Sequence, residues 1–124
     1  MKLSEQDFDR AVRRALDRIP KEIRAQMENV VITVRKRPTR EMLADLEATP
    51  DDPPLALYQG WPLTERSVFA PPLYPDTIFI FQEPLEEICA TREELEEEIE
   101  ISVVHEVAHF LGLDEDRLAE LGYE

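Results

Sequence analysis

The sequence is poor in several features that mark particular classes of protein. It has one cysteine, Cys89, so no disulfide can form within the chain, which agrees with a reducing compartment. No apolar stretch approaches the roughly 20 residues that a membrane-spanning helix needs. The first ten residues, MKLSEQDFDR, place acids where a signal peptide has its uncharged apolar region. We therefore expect a soluble, cytoplasmic protein without a membrane partner.

Basic residues are also scarce, because 14 Lys and Arg stand against 28 Asp and Glu, giving a formal net charge of -14. This excess of negative charge repels phosphate backbones, which argues against a nucleic-acid partner. The charge is uneven: residues 1–40 carry net +5 and residues 41–124 carry net -19. The first interpretation is that a basic N-terminal segment packs across an acidic body and partly neutralises it. The alternative is that the acidic face attracts basic substrates or partners.

The length of 124 residues, without an internal repeat, predicts one domain over residues 1–124 with a single modest core. Ser4 begins a first helix that Pro20 ends. Short β-branched or aromatic runs predict strands at residues 30–34, 55–59 and 77–81, and short helices are predicted at residues 42–46 and 85–89. Proline is frequent between residues 38 and 75, but Leu, Tyr, Trp and Phe recur there, so we expect an ordered loop that wraps the core. We expect the single tryptophan, Trp61, in that core.

A long helix is predicted from about Arg92 to Leu111. Thr91 and Glu94 match a capping box, and Gly112 tolerates the left-handed conformation at a helix end. The first half of this helix is nearly all glutamate and is expected to be solvated. Residues 101–111 (ISVVHEVAHFL) are apolar nearly all the way round and are expected to be buried. Asp114 then caps a last short helix.

The only two histidines of the chain stand one turn apart in the long helix, in the pattern H-E-x-x-H formed by His105, Glu106 and His109. Residues four apart share one helix face, so both imidazoles can bind one tetrahedral Zn²⁺. Glu106 is rotated away by one residue, which suits a general base that takes a proton from the zinc-bound water as it attacks a polarised carbonyl. Two imidazoles and a carboxylate in a dry helix are costly without such a metal. The alternative is that the three residues are ordinary side chains of a helix and bind no metal.

A catalytic zinc usually needs a third protein ligand. In the extended motif, a glycine three residues after the second histidine turns the chain, and the third residue beyond it reaches the metal. Gly112 is in place here, so Glu115 is the predicted third ligand and Asp116 is the alternative. These acids equally suit the first turn of the last helix, which is the competing interpretation.

At these residues the chain resembles a known family. Residues 105–123 (HEVAHFLGLDEDRLAELGY), preceded by TIFIFQEPLEE and YQGWPLTERS, are similar to the small bacterial minimal zincin-like metallopeptidases, formerly a domain of unknown function. The similarity extends from the first strand to the C-terminus. The resemblance implies an α+β fold in which a small sheet packs on the motif helix, and a peptidase activity. It also implies the same metal ligands, His105 and His109 with an acid after Gly112, and Glu106 as the base.

Zincins generally bind an extended peptide alongside an edge strand, and residues 77–81 are our candidate for that strand. Tyr58, Arg66, Tyr74 and Tyr123 are the available donors for an oxyanion, with none preferred. Cys89 is expected to be a small buried residue. The sequence therefore predicts a zinc-dependent peptidase that acts on a peptide or protein substrate. A metal-binding pseudoenzyme or interaction module without turnover is the alternative, and a plain acidic interaction domain is a third possibility.

Overall fold

The computed structural model describes residues 1–60 and 76–123, and within them the predicted α+β class is confirmed. None of the helices in these ranges is both long and apolar enough to cross a bilayer. In chain order the elements are α1 (Glu5–Arg18), α2 (Lys21–Arg24), a 3-10 turn (Ala25–Met27), β1 (Val30–Arg35), α3 (Arg40–Asp45), β2 (Ala56–Gln59), β3 (Asp76–Phe81), α4 (Gln82–Ile88), α5 (Arg92–Leu111) and α6 (Glu115–Glu120).

The three strands form one mixed sheet in the order β1-β3-β2. β1 runs parallel to β3, and β2 runs antiparallel to it. The prediction that residues 77–81 form a substrate-binding edge strand is therefore wrong, because β3 lies in the middle of the sheet. The physical reason is visible in its residues: Ile78, Phe79, Ile80 and Phe81 are all buried, as expected of a central strand covered on both faces.

The core is built along the contact between α1 and α5. Phe8 and Ala15 of α1 and Leu95, Ile99 and Val103 of α5 are fully inaccessible to solvent and belong to one cluster. Burying a large apolar side chain contributes roughly 1.5–3 kcal/mol, whereas an exposed ion pair contributes about 0–1 kcal/mol. The apolar seam between the two helices therefore holds the motif helix in place.

Arginines of α1 flank this seam and pair with glutamates of α5. Arg14 Nη1 lies 3.6 Å from Glu96 Oε1, and Arg18 Nε lies 2.8 Å from Glu100 Oε1. Both glutamates are half-buried, so the first half of α5 is not wholly solvated as expected. The contacts support the interpretation that the basic N-terminal segment neutralises part of the acidic body.

Two polar side chains of α4 are buried, and both bind the start of the chain. Gln82 Nε2 donates to Leu3 O at 3.1 Å and to Glu86 Oε2 at 3.1 Å, and Leu3 N donates to the same carboxylate oxygen at 2.8 Å. Because each buried polar group has a partner, this corner is held together without an unsatisfied donor on the amide.

Candidate functional site

The H-E-x-x-H residues lie in the last two turns of α5, a long helix that is capped at both ends. Thr91 Oγ1 accepts a hydrogen bond from Glu94 N at 3.1 Å, as the predicted N-cap requires. At the other end Gly112 adopts φ 65° and ψ 45°, the left-handed conformation that glycine reaches at little cost, and its N–H donates to Ala108 O. The predicted bounds, Arg92 to Leu111, are confirmed.

The two histidines lie on the solvent side of α5. Val103 and Val107 are fully buried one turn apart, and His105 and His109 each follow two residues later, about 200° around the helix. Both histidines are exposed, as are Phe110 and Leu111 at the end of the helix. The expectation that residues 101–111 are buried all the way round is therefore wrong, because one narrow valine stripe suffices to join this part of the helix to the core.

This exposure changes the energetic argument for a metal at the histidine pair. A solvated imidazole does not need an ion to satisfy its nitrogens, so the cost of burial no longer favours zinc. The donor set itself still fits: two imidazoles one turn apart on one face are a pair of zinc ligands. In residues 1–60 and 76–123, neither His105 nor His109 has a hydrogen-bond or ion-pair partner, so their ring nitrogens are available.

Glu106 reaches strand β2 from the side of α5 that it shares with His109. Its Oε2 accepts a hydrogen bond from the main-chain N–H of Tyr58 at 3.1 Å, and this contact is half-buried. The direction of that N–H follows from the pairing of β2 with β3. Phe81 N donates to Leu55 O at 3.0 Å, so alternate residues of β2 bond to β3 while Ala56 and Tyr58 direct their main-chain groups away from it. The outer edge of β2 therefore faces the motif helix.

An open groove of about 600 Å³ lies at this edge. Glu106 and His109 line it from α5, together with the exposed ring of Phe110. The rest of its wall is mostly apolar and consists of Leu46, Ala48, Asp52, Pro53, Pro54, Ala56, Leu57 and Tyr58. The groove thus brings the predicted base and one predicted metal ligand next to an edge strand.

The predicted third ligand is at the start of α6. Asp114 caps that helix, because its Oδ1 accepts from Asp116 N at 2.9 Å, and Glu115 is exposed in the first turn. Across the described parts of the chain, no three His, Cys, Asp or Glu side chains are grouped so that they could hold a metal ion. The structure therefore does not bring Glu115, or its alternative Asp116, together with both histidines, and the third ligand stays a prediction.

Two of the four candidate oxyanion donors have partners of their own. The Tyr58 hydroxyl donates to Asp76 Oδ2 at 2.9 Å, and the hydroxyl of the buried Tyr123 donates to Glu100 Oε2. Burial and that hydrogen bond raise the pKa of Tyr123 well above its usual value. The other candidates, Arg66 and Tyr74, lie outside the described residues, as does Trp61.

Cys89 is buried at the end of α4, as expected from its residue type. Burial is the main cause that raises the pKa of its thiol, and the negative charges of Glu98 and Glu94 act in the same direction. A thiol that is buried and protonated is a poor metal ligand or nucleophile. Cys89 is therefore a structural residue of the core.

Sequence reasoning missed the contacts that join β2 to the motif helix. Phe110 stacks on Tyr58 with ring centroids 4.0 Å apart and planes at 16°, and a Cβ on Gly60 would lie 2.4 Å from Phe110 Cζ. The glycine at position 60 was the available signal, because a residue without a side chain permits such a close approach. The Tyr58 N–H itself leaves no trace in sequence, since every residue except proline carries one.

The profile of the family described as Zincin-like metallopeptidase matches residues 27–123. A conserved hypothetical protein from Thermo thermophilus has a similar solved structure, with a TM-score of 0.57 and 17% sequence identity. The match covers 94% of this chain and 98% of that one. At this identity the likeness concerns the fold alone. No curated protein matches the chain.

Proposed function

Because the chain belongs to the zincin-like metallopeptidase family, as the resemblance of residues 105–123 indicated, we propose that it is a zinc-dependent peptidase. In this proposal His105 and His109 bind the metal, and Glu106 is the general base. The observation that carries the proposal is the groove beside β2, where the Glu106 carboxylate and His109 meet an edge strand. Glu115 is the proposed third ligand, with Asp116 as the alternative. The proposed substrate is a peptide or a protein, and the single cysteine favours the cytoplasm as the location.

A zinc ion held by these residues would supply Lewis acidity for a peptide carbonyl and would lower the pKa of a water molecule to near neutral pH. The residues of the chain do the rest. Glu106 takes a proton from the attacking water while the oxygen of that water forms a bond to the carbonyl carbon. When the C–N bond breaks, the same carboxyl group passes the proton to the leaving amine, so that one water is consumed and an acid and an amine are released.

We propose that the substrate main chain binds along the outer edge of β2. Strand β3, the earlier candidate, lies in the middle of the sheet and has no open edge. Ala56 directs its main-chain N–H and C=O toward this edge, and it lines the groove. An extended peptide that adds to β2 gains main-chain hydrogen bonds there without regard to its sequence. Apolar side chains of the substrate next to the cleaved bond would contact Phe110 and Leu46, which are 47% and 42% exposed.

Zinc analysis of the purified protein and a Glu106→Gln variant test the proposal. We expect close to one zinc per chain in both proteins, and cleavage of a mixed peptide library by the parent alone. Glutamine preserves the shape of the side chain but does not accept a proton, so the loss isolates the base. Equal cleavage by the two proteins would refute the role of Glu106.

A metal-binding protein without turnover is the second candidate, and one observation favours it. In residues 1–60 and 76–123 no third ligand joins the histidine pair. This candidate predicts bound zinc, no cleavage of any peptide in the library, and a stable protein partner. Turnover by the purified protein, abolished in Glu106→Gln, would exclude it.

A further inference from the structure

We infer that the main-chain N–H of Tyr58 is a positioning group for the base: it holds Oε2 of Glu106 so that Oε1 is left to exchange the proton with water and the leaving amine. The inference rests on the proposed peptidase function and assigns tasks to two outward-facing positions of β2. Tyr58 orients the enzyme's own carboxylate, and Ala56, two residues earlier, pairs with the substrate.

The first support is the alternation of the strand. The main-chain O of Leu55 accepts a hydrogen bond from Phe81 N of β3, so the odd-numbered residues of β2 face β3. The N–H of Tyr58 therefore points away from β3 and contributes nothing to the ladder between β2 and β3. Its hydrogen bond to Glu106 Oε2 is 3.1 Å long. The donor is therefore placed at the edge of the sheet, where it meets a side chain from the motif helix.

The second support is that Tyr58 itself is held from several sides. It is 6% exposed, its hydroxyl donates to Asp76 Oδ2 at 2.9 Å, and its ring stacks on Phe110 at 4.0 Å. Glu106 and Phe110 are four residues apart on α5, so one face of the helix contacts both the N–H and the ring of the same residue. A donor fixed in this way restricts the carboxylate to one orientation.

The third support is the state of the other carboxylate oxygen. Among the residues that the structure describes, Glu106 has the Tyr58 N–H as its hydrogen-bond partner and none on Oε1. A base with one oxygen anchored and the other available needs no side-chain reorganisation before it accepts a proton. Hydrogen-bond partners that orient the ligands of a metal site typically change metal affinity or activity by roughly 10- to 100-fold when they are removed, and we expect an effect of the same size for the base.

Amide hydrogen exchange tests the contact without requiring turnover. We expect the Tyr58 amide to be protected in the parent and in Glu106→Gln, whose side-chain oxygen still accepts a hydrogen bond. In Glu106→Ala the same amide is expected to exchange at least about tenfold faster. Leu57 is the internal control, because its amide faces β3 and its protection should not change. Equal protection of Tyr58 in all three proteins would overturn the inference.

Kinetics with proline variants test the catalytic consequence. Proline removes the outward N–H at position 58 or 56 without removing a ladder bond to β3. Tyr58→Pro is compared with Tyr58→Ala, since both lose the ring and only the first loses the donor. We expect kcat to be roughly 10- to 100-fold lower in Tyr58→Pro than in Tyr58→Ala, with a similar KM. Ala56→Pro is expected to raise KM and leave kcat nearly unchanged.

If Tyr58→Pro and Ala56→Pro both raise KM and neither lowers kcat, the positioning role is contradicted. Equal kcat values for Tyr58→Pro and Tyr58→Ala would contradict it as well. If the parent protein cleaves no peptide, the proposed function fails and the catalytic part of this inference fails with it. The amide measurement then still decides whether Tyr58 holds Glu106. Thermal unfolding of each proline variant shows whether it is folded, and the Glu106→Ala and Glu106→Gln pair leaves β2 untouched.

Discussion

Tyr123→Phe is expected to lower the free energy of unfolding by about 1.5–3 kcal/mol near neutral pH, the usual effect of removing a hydrogen bond to a charged group. Tyr123 is 9% exposed, and its hydroxyl donates to Glu100 Oε2. The other oxygen, Oε1, is buried and forms an ion pair with Arg18 Nε at 2.8 Å that is not a well-aligned hydrogen bond. Removing the hydroxyl therefore leaves the half-buried Glu100 with a single partner.

The effect of this hydroxyl depends on pH in a known direction. Burial, followed by the hydrogen bond to Glu100, raises the pKa of Tyr123 in the folded protein, whereas in the unfolded chain it is about 10. The raised pKa means that the unfolded state loses the proton first. The stability that the hydroxyl provides is therefore complete below pH 10 and declines as the pH rises toward the folded-state pKa. At pH 11, above the unfolded-state pKa, part of this stability is already lost.

Urea unfolding of the parent and of Tyr123→Phe at pH 8 and pH 11 measures this change. The difference between the two proteins is expected to be about 1.5–3 kcal/mol at pH 8 and smaller at pH 11. Ionisation of the other tyrosines and the lysines is common to both proteins and cancels in the difference. A difference that is the same at both pH values, or larger at pH 11, would refute the assignment of a protonated, buried Tyr123.

Three further predictions concern other parts of the molecule. Gly60→Ala should lower the free energy of unfolding by about 0.5–1.5 kcal/mol because its Cβ displaces the Phe110 ring from its stack, and in a Phe110→Ala background this loss should vanish in thermal unfolding. Cys89 should react with dithionitrobenzoate only as fast as the protein unfolds, because its side chain is buried and out of reach of the reagent; rapid reaction of the folded protein would contradict its place in the core. Glu115→Ala should reduce zinc content measured by elemental analysis more than Asp116→Ala does, and the reverse order would make Asp116 the third ligand.

Local signals in the sequence predict the starts of α1, α5 and α6 and the end of α5. The bounds of α5 follow from Thr91 and Gly112, because a capping side chain and a left-handed glycine act within one turn of the helix end. Asp114 identifies the start of α6 in the same way. The sequence alone therefore places the site residues of α5 on the correct turns of the helix.

Long-range arrangement is harder to predict. The edge position predicted for β3 is wrong, because a strand without polar alternation is typical of the middle of a sheet. The predicted burial of His105 and His109 is too high, because Phe110 and Leu111 count as apolar in the sequence yet remain exposed at the end of the helix. Which face of such a helix meets the core depends on its neighbours as well as on its own residues, here chiefly α1 and β2.

The pairing of β1 with β3 also has a consequence for how fast the chain folds. Val30 is opposite Asp76, so the central pair of the sheet joins residues 46 positions apart, with β2 between them in sequence. Chain entropy opposes closure of so long a loop until the contacts of both strands have formed. Refolding from denaturant should therefore be limited by this closure. Doubling the length of the chain between β1 and β3 should slow refolding by about threefold, because it adds about 0.6 kcal/mol to the entropic cost of closing the loop.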